Sequence, residues 1–334
     1  MKNGSWRTII VIAVVTLGLA VVFPSAAPGK TVLKLANVVP PTSEKNLSCL
    51  KFSEIAGNET KGELQIQVFP ASQLGNERDL SIGLVMGTLD LFWGDATAFA
   101  DYVPEFNVFN SPLLFKDDKH WKAVVESPLF DELAEKLLKK APVRIIGKFP
   151  MDFRYILTRE KPVYTPEDLK GMKIRVPDIP IWVAGMKGLG AAATPISYAE
   201  VYMALQQGVI DGMENPLGLM RSMKFYEVTK YVTLFGWNNA VNVLVINEEV
   251  FQRLSPEHQK VVLEAGKAAG EYLLDLLAKN RAENLEFMKK QGMIIIEPKK
   301  MDEWAEQVKN FPEETADMWG GDPNLYWKIR NYPY

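Results

Sequence analysis

Residues 165–216 read TPEDLKGMKIRVPDIPIWVAGMKGLGAAATPISYAEVYMALQQGVIDGMENP. The pattern predicts short strands at 173–177, 192–196 and 209–215. A helix is predicted at 180–189, and a second helix lies between the last two strands. Strands and helices that alternate in this order form the β-α-β unit of a parallel sheet. The segment therefore predicts an α/β layer fold.

Capping residues mark the helix boundaries within this segment. Thr165 has the side chain of an N-cap, Pro166 takes the first helical position, and Gly171 ends that short helix. Ser197 and Glu200 have the spacing of a capping box at the start of a later helix. These boundaries predict where each strand of the unit ends. Ligands of open parallel sheets bind beyond those carboxyl ends.

The flanking sequence continues the alternation of strands and helices. Strands are predicted at 31–38, 63–70 and 89–95, where apolar residues alternate with polar ones or form short runs. Helices are predicted at 42–58 and 76–88, between these strands. The first third of the chain is therefore predicted to form a second α/β layer.

A long helix is predicted near the C-terminal end of the chain. Ser255 is its N-cap, and the helical pattern can run to Gln291. At about 1.5 Å per residue, such a helix is roughly 50 Å long, which exceeds the width of one lobe. It must therefore either bridge two lobes or kink at Gly266 or Gly270.

Composition limits the classes of protein and site. The chain has 334 residues and 47% hydrophobic residues, which predicts two domains or lobes with substantial cores. The net charge is −3, and the sequence shows no basic patch of the kind that binds nucleic acid. The single cysteine, Cys49, cannot form an intrachain disulfide, and His120 and His258 lack metal-ligand spacing. We expect no metal, no cofactor and no nucleic-acid partner.

The N-terminus has the pattern of a secretory signal peptide. Lys2 and Arg7 are positive, residues 9–22 are apolar, and small residues follow. We place cleavage after Ala27, and an uncleaved membrane anchor is the alternative. No other stretch is long and apolar enough to span a bilayer. The sequence therefore predicts a signal peptide at 1–27 and a periplasmic protein.

Polar side chains are predicted at the ends of three consecutive strands of the 165–216 segment. The first strand delivers Arg175, the second Ser197 and Tyr198, and the third Glu214 and Asn215. An anion at that edge would meet a guanidinium, a hydroxyl and an amide. Arginine binds a carboxylate through a planar two-point fork, and a buried arginine needs such a partner. The edge is therefore a candidate carboxylate site.

The residues alone leave other interpretations open. Arg175 can instead point to solvent or pair with Asp178 or Asp211. Asp211 and Glu214 can form an acid pair for glycoside hydrolysis, or Asp211 can brace the turn before Gly212. The glycines of GMKGLGA follow a helix rather than a strand, so they do not indicate a nucleotide site.

Several long stretches resemble one protein family. These stretches are GELQIQVFPASQLGNERDL (62–80), DLKGMKIRVP (168–177), GLGAAATPISYAEVYMALQQGVIDGMENP (188–216) and YEVTKYVTLFGWNNAVNVLVINEEVFQRLSPEHQ (226–259). They are similar to the DctP-type solute-binding proteins of tripartite ATP-independent periplasmic (TRAP) transporters. The resemblance covers essentially the whole chain after the signal peptide.

The resemblance implies a periplasmic binding protein fold. Two α/β lobes are joined by crossing strands, and a long helix spans both lobes. Lobe I is expected to comprise 30–151 and 241–280, and lobe II 152–240 and 281–334. A ligand is expected to bind in the cleft between them.

The resemblance also implies site residues in lobe II. Arg175 falls at the arginine that binds the ligand carboxylate, and Arg154 matches a second arginine often found there. Asn215 falls at an asparagine that contacts the ligand, and Tyr198 at an aromatic beside it. The remaining aromatics expected at the cleft wall are Trp182 and Trp237.

Lobe I departs from the family pattern. Many members carry a histidine after a proline near the first strand, and NVVPPTSEKN (37–46) has none. Glu77, Trp93 and Asp95 are the candidate site residues of this lobe. The apolar LFWG (91–94) predicts either a ligand with some apolar bulk or ordinary core packing.

The function implied is that of a receptor without catalysis. It binds a small organic acid, with one or two carboxylates, and delivers it to the sodium-coupled TRAP membrane subunits. Two alternatives are a binding protein of an ATP-driven importer and a periplasmic hydrolase that uses Asp211 or Glu214.

Overall fold

The computed structural model describes residues 30–334. The predicted signal peptide at 1–27, with its cleavage after Ala27, lies outside the described residues. Within residues 30–334, no helix is both long and apolar enough to cross a membrane.

The strands of the described residues form two sheets. The first sheet has the order β2-β1-β3-β10-β4, and the second has the order β11-β9-β5-β8-β6-β7. Numbered along the chain, the strands are β1 (Thr31–Ala36), β2 (Leu64–Phe69), β3 (Leu91–Asp95), β4 (Val143–Pro150), β5 (Arg154–Thr158), β6 (Lys173–Val176), β7 (Ala192–Pro195), β8 (Gly212–Asn215), β9 (Tyr231–Asn238), β10 (Val241–Asn247) and β11 (Ile294–Ile296).

Helices connect the strands and cover the sheets. The α-helices are α1 (Glu44–Glu59), α2 (Glu77–Val85), α3 (Asp118–Val125), α4 (Pro128–Lys140), α5 (Pro166–Leu169), α6 (Pro180–Gly188), α7 (Val201–Gln206), α8 (Leu217–Ser222), α9 (Glu248–Arg253), α10 (Pro256–Lys290), α11 (Met301–Gln307), α12 (Phe311–Thr315) and α13 (Asn324–Arg330). Short 3₁₀ helices lie at Ala96–Phe99, Pro104–Asn110, Tyr198–Glu200, Phe225–Glu227 and Ala316–Trp319.

The predicted α/β architecture and its parallel unit are confirmed. Strand β6 pairs in parallel with both β7 and β8, so that Arg175 lies opposite Thr194 on one side and Met213 on the other. The chain passes from the first sheet to the second between β4 and β5 and returns between β9 and β10. The carboxyl ends of β6, β7 and β8 therefore meet at one edge of the second sheet.

One of the two predicted helix caps is wrong in detail. The Thr165 main-chain N–H donates to Asp168 Oδ2 at 2.9 Å, so the start of α5 is capped as expected. The Ser197 side chain makes no capping hydrogen bond to the next helix. A 3₁₀ turn over Tyr198–Glu200 intervenes before α7, and the capping box does not form. This turn places Tyr198 beside the end of β6.

The long helix α10 is continuous through both of its candidate kink sites. It has 35 residues, and it packs on α1 and β4 beside the first sheet and on α8 beside the second. A Cβ at Gly266 would overlap the Ile146 carbonyl oxygen, and a Cβ at Gly270 would lie 2.9 Å from Phe149 Cε1. The two glycines therefore let the helix approach β4 closely, and the helix bridges both sheets as the first alternative requires.

Three apolar clusters form the core. One packs the first sheet against α1 and α10, with Phe52, Trp93 and Phe149 fully or almost fully buried. A second packs the second sheet against α7 and α8. The largest runs from the other face of the first sheet to Trp182 and Trp237 behind the second. The three clusters bury both faces of the first sheet and pack helices on the second.

Gly266→Ala is expected to lower the free energy of unfolding by about 1–3 kcal/mol, because backbone must move to admit the methyl group. The matched control is Gly57→Ala in α1, where the nearest atom to an added Cβ is Leu64 O at 3.8 Å. The control should raise stability by up to about 1 kcal/mol through helix propensity. Urea denaturation of both variants measures the difference. Equal stability of the two variants would contradict close packing of α10 on β4.

Candidate functional site

Arg175 is buried at the edge of the second sheet without a counterion. Arg175 is only 3% exposed, and its Nε donates to the Ile196 carbonyl oxygen at 2.8 Å. Among residues 30–334, no carboxylate forms an ion pair with it, and Asp211 instead accepts from the Lys173 main-chain N–H at 2.8 Å. Burial lowers the pKa of Arg175 to about 10. Arg175 therefore does not point into bulk solvent, and neither Asp178 nor Asp211 forms an ion pair with it.

A hydroxyl and an amide lie next to Arg175. The guanidinium carbon lies 5.5 Å from the centre of the Tyr198 ring. Asn215 is fully buried, and its Nδ2 donates to Tyr198 Oη at 3.0 Å, while its Oδ1 has no partner. Burial raises the pKa of Tyr198 to about 12, so the phenol stays neutral near pH 7. The three side chains form one polar surface at the strand ends.

Arg154 differs from Arg175 because it carries its own carboxylate. Its Nη2 donates to Glu214 Oε1 and to the Glu214 carbonyl oxygen, both at 2.9 Å, and its Nε donates to Glu214 Oε2. Both residues are buried, and β5 pairs with β8 so that the two side chains meet. The Arg154 charge is therefore neutralised inside the protein.

The two tryptophans expected at the cleft wall pack around this ion pair. Trp182 lies with its ring centre 4.8 Å from the Arg154 guanidinium carbon, and Trp237 Nε1 donates to Glu214 Oε2 at 3.2 Å. Their rings meet edge to face at 5.5 Å, and both are fully buried. The two tryptophans thus pack around the Arg154–Glu214 ion pair and fix the orientation of Arg154.

The candidate residues of the first sheet lie at the end of β3 and the start of α2. Asp95 accepts hydrogen bonds from the Thr97 main-chain N–H, the Thr97 hydroxyl and Asn110 Nδ2. Glu77 Oε1 accepts from the Asp95 main-chain N–H at 2.8 Å. Burial raises the pKa of both carboxyl groups. Asp95 therefore accepts from protein donors at both carboxylate oxygens, whereas Glu77 Oε2 accepts no hydrogen bond from the described residues.

Lys45 is a buried cation that the sequence prediction missed. It lies in the first turn of α1, is 2% exposed, and its Nζ has no hydrogen-bond partner. The nearest aromatic is Trp93, whose ring centre lies 5.5 Å from Nζ and whose own Nε1 has no partner. Burial lowers the pKa of Lys45 to about 7. A signal was present, because a cation in the first turn opposes the helix dipole.

The geometry gives no support to an acid pair. Asp211 is held by the Lys173 main chain, and Glu214 is held by Arg154 and Trp237. Within residues 30–334, no group of three or more His, Cys, Asp or Glu residues could hold a metal ion. The arrangement suits binding of an anion better than acid–base chemistry.

Comparison with known proteins assigns the chain to a family. The model of DctP, described as bacterial extracellular solute-binding protein, family 7, matches residues 35–317. This chain belongs to the DctP family. The suggested kinship with TRAP solute-binding proteins is therefore confirmed.

Relatives of this DctP-family chain include named receptors. A solute-binding protein of Roseobacter denitrificans is 34% identical over 287 residues, which cover 86% of this chain and 87% of that protein. The 2,3-diketo-L-gulonate-binding periplasmic protein YiaO of Escherichia coli is 32% identical over 255 residues, 76% of this chain and 77% of YiaO. These relatives are binding proteins rather than enzymes, and YiaO is named as periplasmic.

Solved structures share the fold of this DctP-family chain. A TRAP periplasmic solute-binding protein from Roseobacter denitrificans, with bound L-galactonate, matches it with a TM-score of 0.81 and 31% identity. The match covers 90% of this chain and 100% of that chain. The predicted two-sheet α/β binding-protein fold is confirmed.

Proposed function

We propose that this protein is the periplasmic receptor of a TRAP transporter and binds a sugar acid between its two lobes. The observation that carries the proposal is the buried Arg175, which has no carboxylate partner among the described residues. A buried guanidinium without a counterion is costly, and a ligand carboxylate supplies the missing charge. Arg175 therefore holds the carboxylate through its two-point fork.

Other side chains of lobe II complete the carboxylate site. Asn215, with its unpartnered Oδ1 and its hydrogen bond to Tyr198, contacts the ligand next to the carboxylate. Arg154 supports the site from beside it, because its guanidinium is bonded to Glu214 and its charge is neutralised there. In this proposal Trp182 and Trp237 support Arg154 and line the wall behind it.

The choice of a sugar acid rests on the relatives and on lobe I. L-Galactonate and 2,3-diketo-L-gulonate, the ligands named for two relatives, each carry one carboxylate and several hydroxyl groups. Glu77, Trp93 and Lys45 offer a free acceptor and two free donors on the side of the first sheet. Asp95 is not counted among these groups, because its oxygens already accept hydrogen bonds from protein donors. A polyhydroxylated tail would use these groups.

Closure of two lobes encloses the ligand. We assign 30–151 with 241–280 to lobe I and 152–240 with 281–334 to lobe II. Glu44, at the start of α1, accepts from Asn284 Nδ2 at 3.0 Å and lies so close to α8 that a Cβ at Gly218 would overlap it. Contacts between α1 and α8 form when the lobes come together, and bound ligand favours that state because both lobes contact it.

Delivery to sodium-coupled membrane subunits follows from the TRAP family. An ATP-driven importer is the closer alternative, and the genes beside this one separate the two, since a TRAP system has two membrane subunits and no ATPase. A hydrolase would require a carboxylate pair, and Asp211 and Glu214 are each occupied by protein donors.

A thermal-shift screen tests the proposed ligand class. A ligand present at 100 times its Kd stabilises the folded state by about 2.7 kcal/mol, which raises the midpoint by several degrees. We expect such a shift from L-galactonate, D-glucuronate or another sugar acid. The neutral sugars D-galactose and D-glucose are the matched controls and should give none. A shift from neutral sugars with none from the acids would overturn the proposal.

A further inference from the structure

The Lys45 side chain is a second basic group in the site, and no described protein group accepts a hydrogen bond from its Nζ. An ammonium carries three donors and no acceptor, and the structure gives Nζ no hydrogen bond. The residue is 2% exposed, so bulk water does not replace the missing partners. The centre of the Trp93 ring lies 5.5 Å from Lys45 Nζ, so the ring can attract a charge there. The ring provides no hydrogen-bond acceptor atom.

Charged groups around Lys45 come from both sheets. Asp95 ends β3 of the first sheet, Glu77 begins α2, and Arg154 begins β5 of the second sheet; all three, together with Asp152, influence the pKa of Lys45. Glu77 also influences the pKa of Arg175.

Geometry places Lys45 and Glu77 at the carboxyl end of β3, because Lys45 Nζ lies 5.5 Å from the centre of the Trp93 ring and Glu77 Oε1 accepts from the Asp95 main-chain N–H at 2.8 Å. Glu44, the neighbour of Lys45, lies against Gly218, which follows Asn215 by three residues, so this end of β3 is close to the proposed carboxylate site.

The two lobe I groups at the end of β3 are not bonded to each other. Lys45 and Glu77 form no ion pair, and Glu77 Oε2 accepts no hydrogen bond from the described residues. A donor and an acceptor that face one space without contact can both be satisfied by one hydroxyl group. Such a hydroxyl oxygen accepts from Nζ, while its proton is donated to Oε2.

We propose that Lys45 and Glu77 read a hydroxyl group of the ligand, and so select hydroxylated acids over plain carboxylic acids of the same length. This inference rests on the proposed function, because it needs a carboxylate on Arg175 to orient the ligand. Sites built to hydrogen-bond a hydroxyl reject analogues that lack it, since their own polar groups then stay unpaired. A hydrogen bond to a charged group is worth about 10- to 100-fold in affinity.

Lys45→Met tests the inference, because methionine has similar length and no charge. L-Galactonate and hexanoate are the probes: both are six-carbon monocarboxylates, and only the first carries hydroxyl groups. Isothermal titration calorimetry of the intact protein without its signal peptide gives both affinities. We expect Lys45→Met to weaken L-galactonate binding about 10- to 100-fold and to leave hexanoate affinity unchanged or higher. Glu77→Gln, which keeps the side-chain shape, should also reduce the preference.

Two further measurements keep the test decisive. Lys51→Met, on an exposed part of the same helix, is the matched control and should change neither affinity. The thermal midpoint of ligand-free Lys45→Met should equal or exceed that of the parent protein, because the variant removes a buried ammonium without a partner. A lysine that only supports the fold would instead lower this midpoint when replaced.

The outcomes separate this inference from the proposed function. If the parent protein binds L-galactonate or another sugar acid and Lys45→Met binds it equally well, the role of Lys45 is wrong and the receptor function stands. If the parent protein binds no sugar acid, both the proposed function and the role of Lys45 are wrong. Weaker binding of the hydroxylated probe alone, with an unchanged or higher midpoint, supports both.

Discussion

Arg175→Glu is expected to reduce sugar-acid affinity by at least about a thousandfold, so that calorimetry detects no binding at millimolar ligand. Loss of one partner from a buried, hydrogen-bonded charge pair costs about 2–5 kcal/mol, and the new carboxylate adds repulsion against the ligand and against nearby Glu214. Retained micromolar affinity would contradict the assignment of Arg175 as the carboxylate partner.

Companion variants separate the causes of that loss. Arg175→Met removes the guanidinium without adding a negative charge and should still lose most of the affinity. Arg175→Lys keeps the charge but not the planar fork, so an intermediate loss of about 10- to 100-fold is expected. Arg253→Glu reverses an exposed charge on α9 and should leave binding unchanged. Full binding by Arg175→Met would show that repulsion alone explains the charge reversal.

Glu214→Leu is expected to lower the free energy of unfolding by about 3–5 kcal/mol, because it leaves the buried Arg154 guanidinium without its carboxylate. Trp237 Nε1 loses its acceptor in the same change. Chemical denaturation of the ligand-free protein measures the loss. A decrease below about 1 kcal/mol would mean that Arg154 finds another partner or reaches water.

A double-mutant cycle isolates the ion pair. Arg154→Met combined with Glu214→Leu removes both charges and should recover most of the lost stability, since apolar replacement of a buried pair is often close to neutral. The double variant should still bind a sugar acid weakly through Arg175. A double variant as unstable as Glu214→Leu alone would assign the loss to packing instead of charge.

Local sequence patterns predicted the parallel unit of β6, β7 and β8 and the position of Arg175 in it. Strand 173–177, Thr165 and Gly171 lie within one continuous segment, so nearest-neighbour signals were enough to identify strand ends. The helices between these strands predict that they run parallel, whereas the position of β6 between β7 and β8 was not predicted from the sequence. The long helix was also predictable, because Ser255 and the glycine after Gln291 mark its ends.

Contacts between distant segments were not predictable in the same way. Arg154 and Glu214 meet because β5 lies antiparallel beside β8, and this pairing joins residues 60 positions apart. The sequence therefore could not reveal that Arg154 is neutralised within the protein. Its direct role toward ligand stays a prediction.

Helix α1 shows why Lys45 was missed. Its apolar residues Leu47 and Leu50 are 36% and 46% exposed, whereas Lys45 is buried. Apolar periodicity alone would place the face with Leu47 and Leu50 toward the core. Packing of α1 against α10 and the proposed ligand site instead determines which face is buried. Only the cation in the first turn, against the helix dipole, indicated an unusual environment.

The close contact of α10 with β4 also determines how the cleft can open. With Gly266 and Gly270 against the β4 backbone, the N-terminal half of the helix moves as one body with lobe I. Opening must then break contacts farther along, where Asn284 of lobe II donates through Nδ2 to Glu44 Oε1 of lobe I at 3.0 Å. We therefore expect the rate of ligand release to depend on this far end of the helix, away from the two glycines. Amide exchange near residue 284 should report the opening rate.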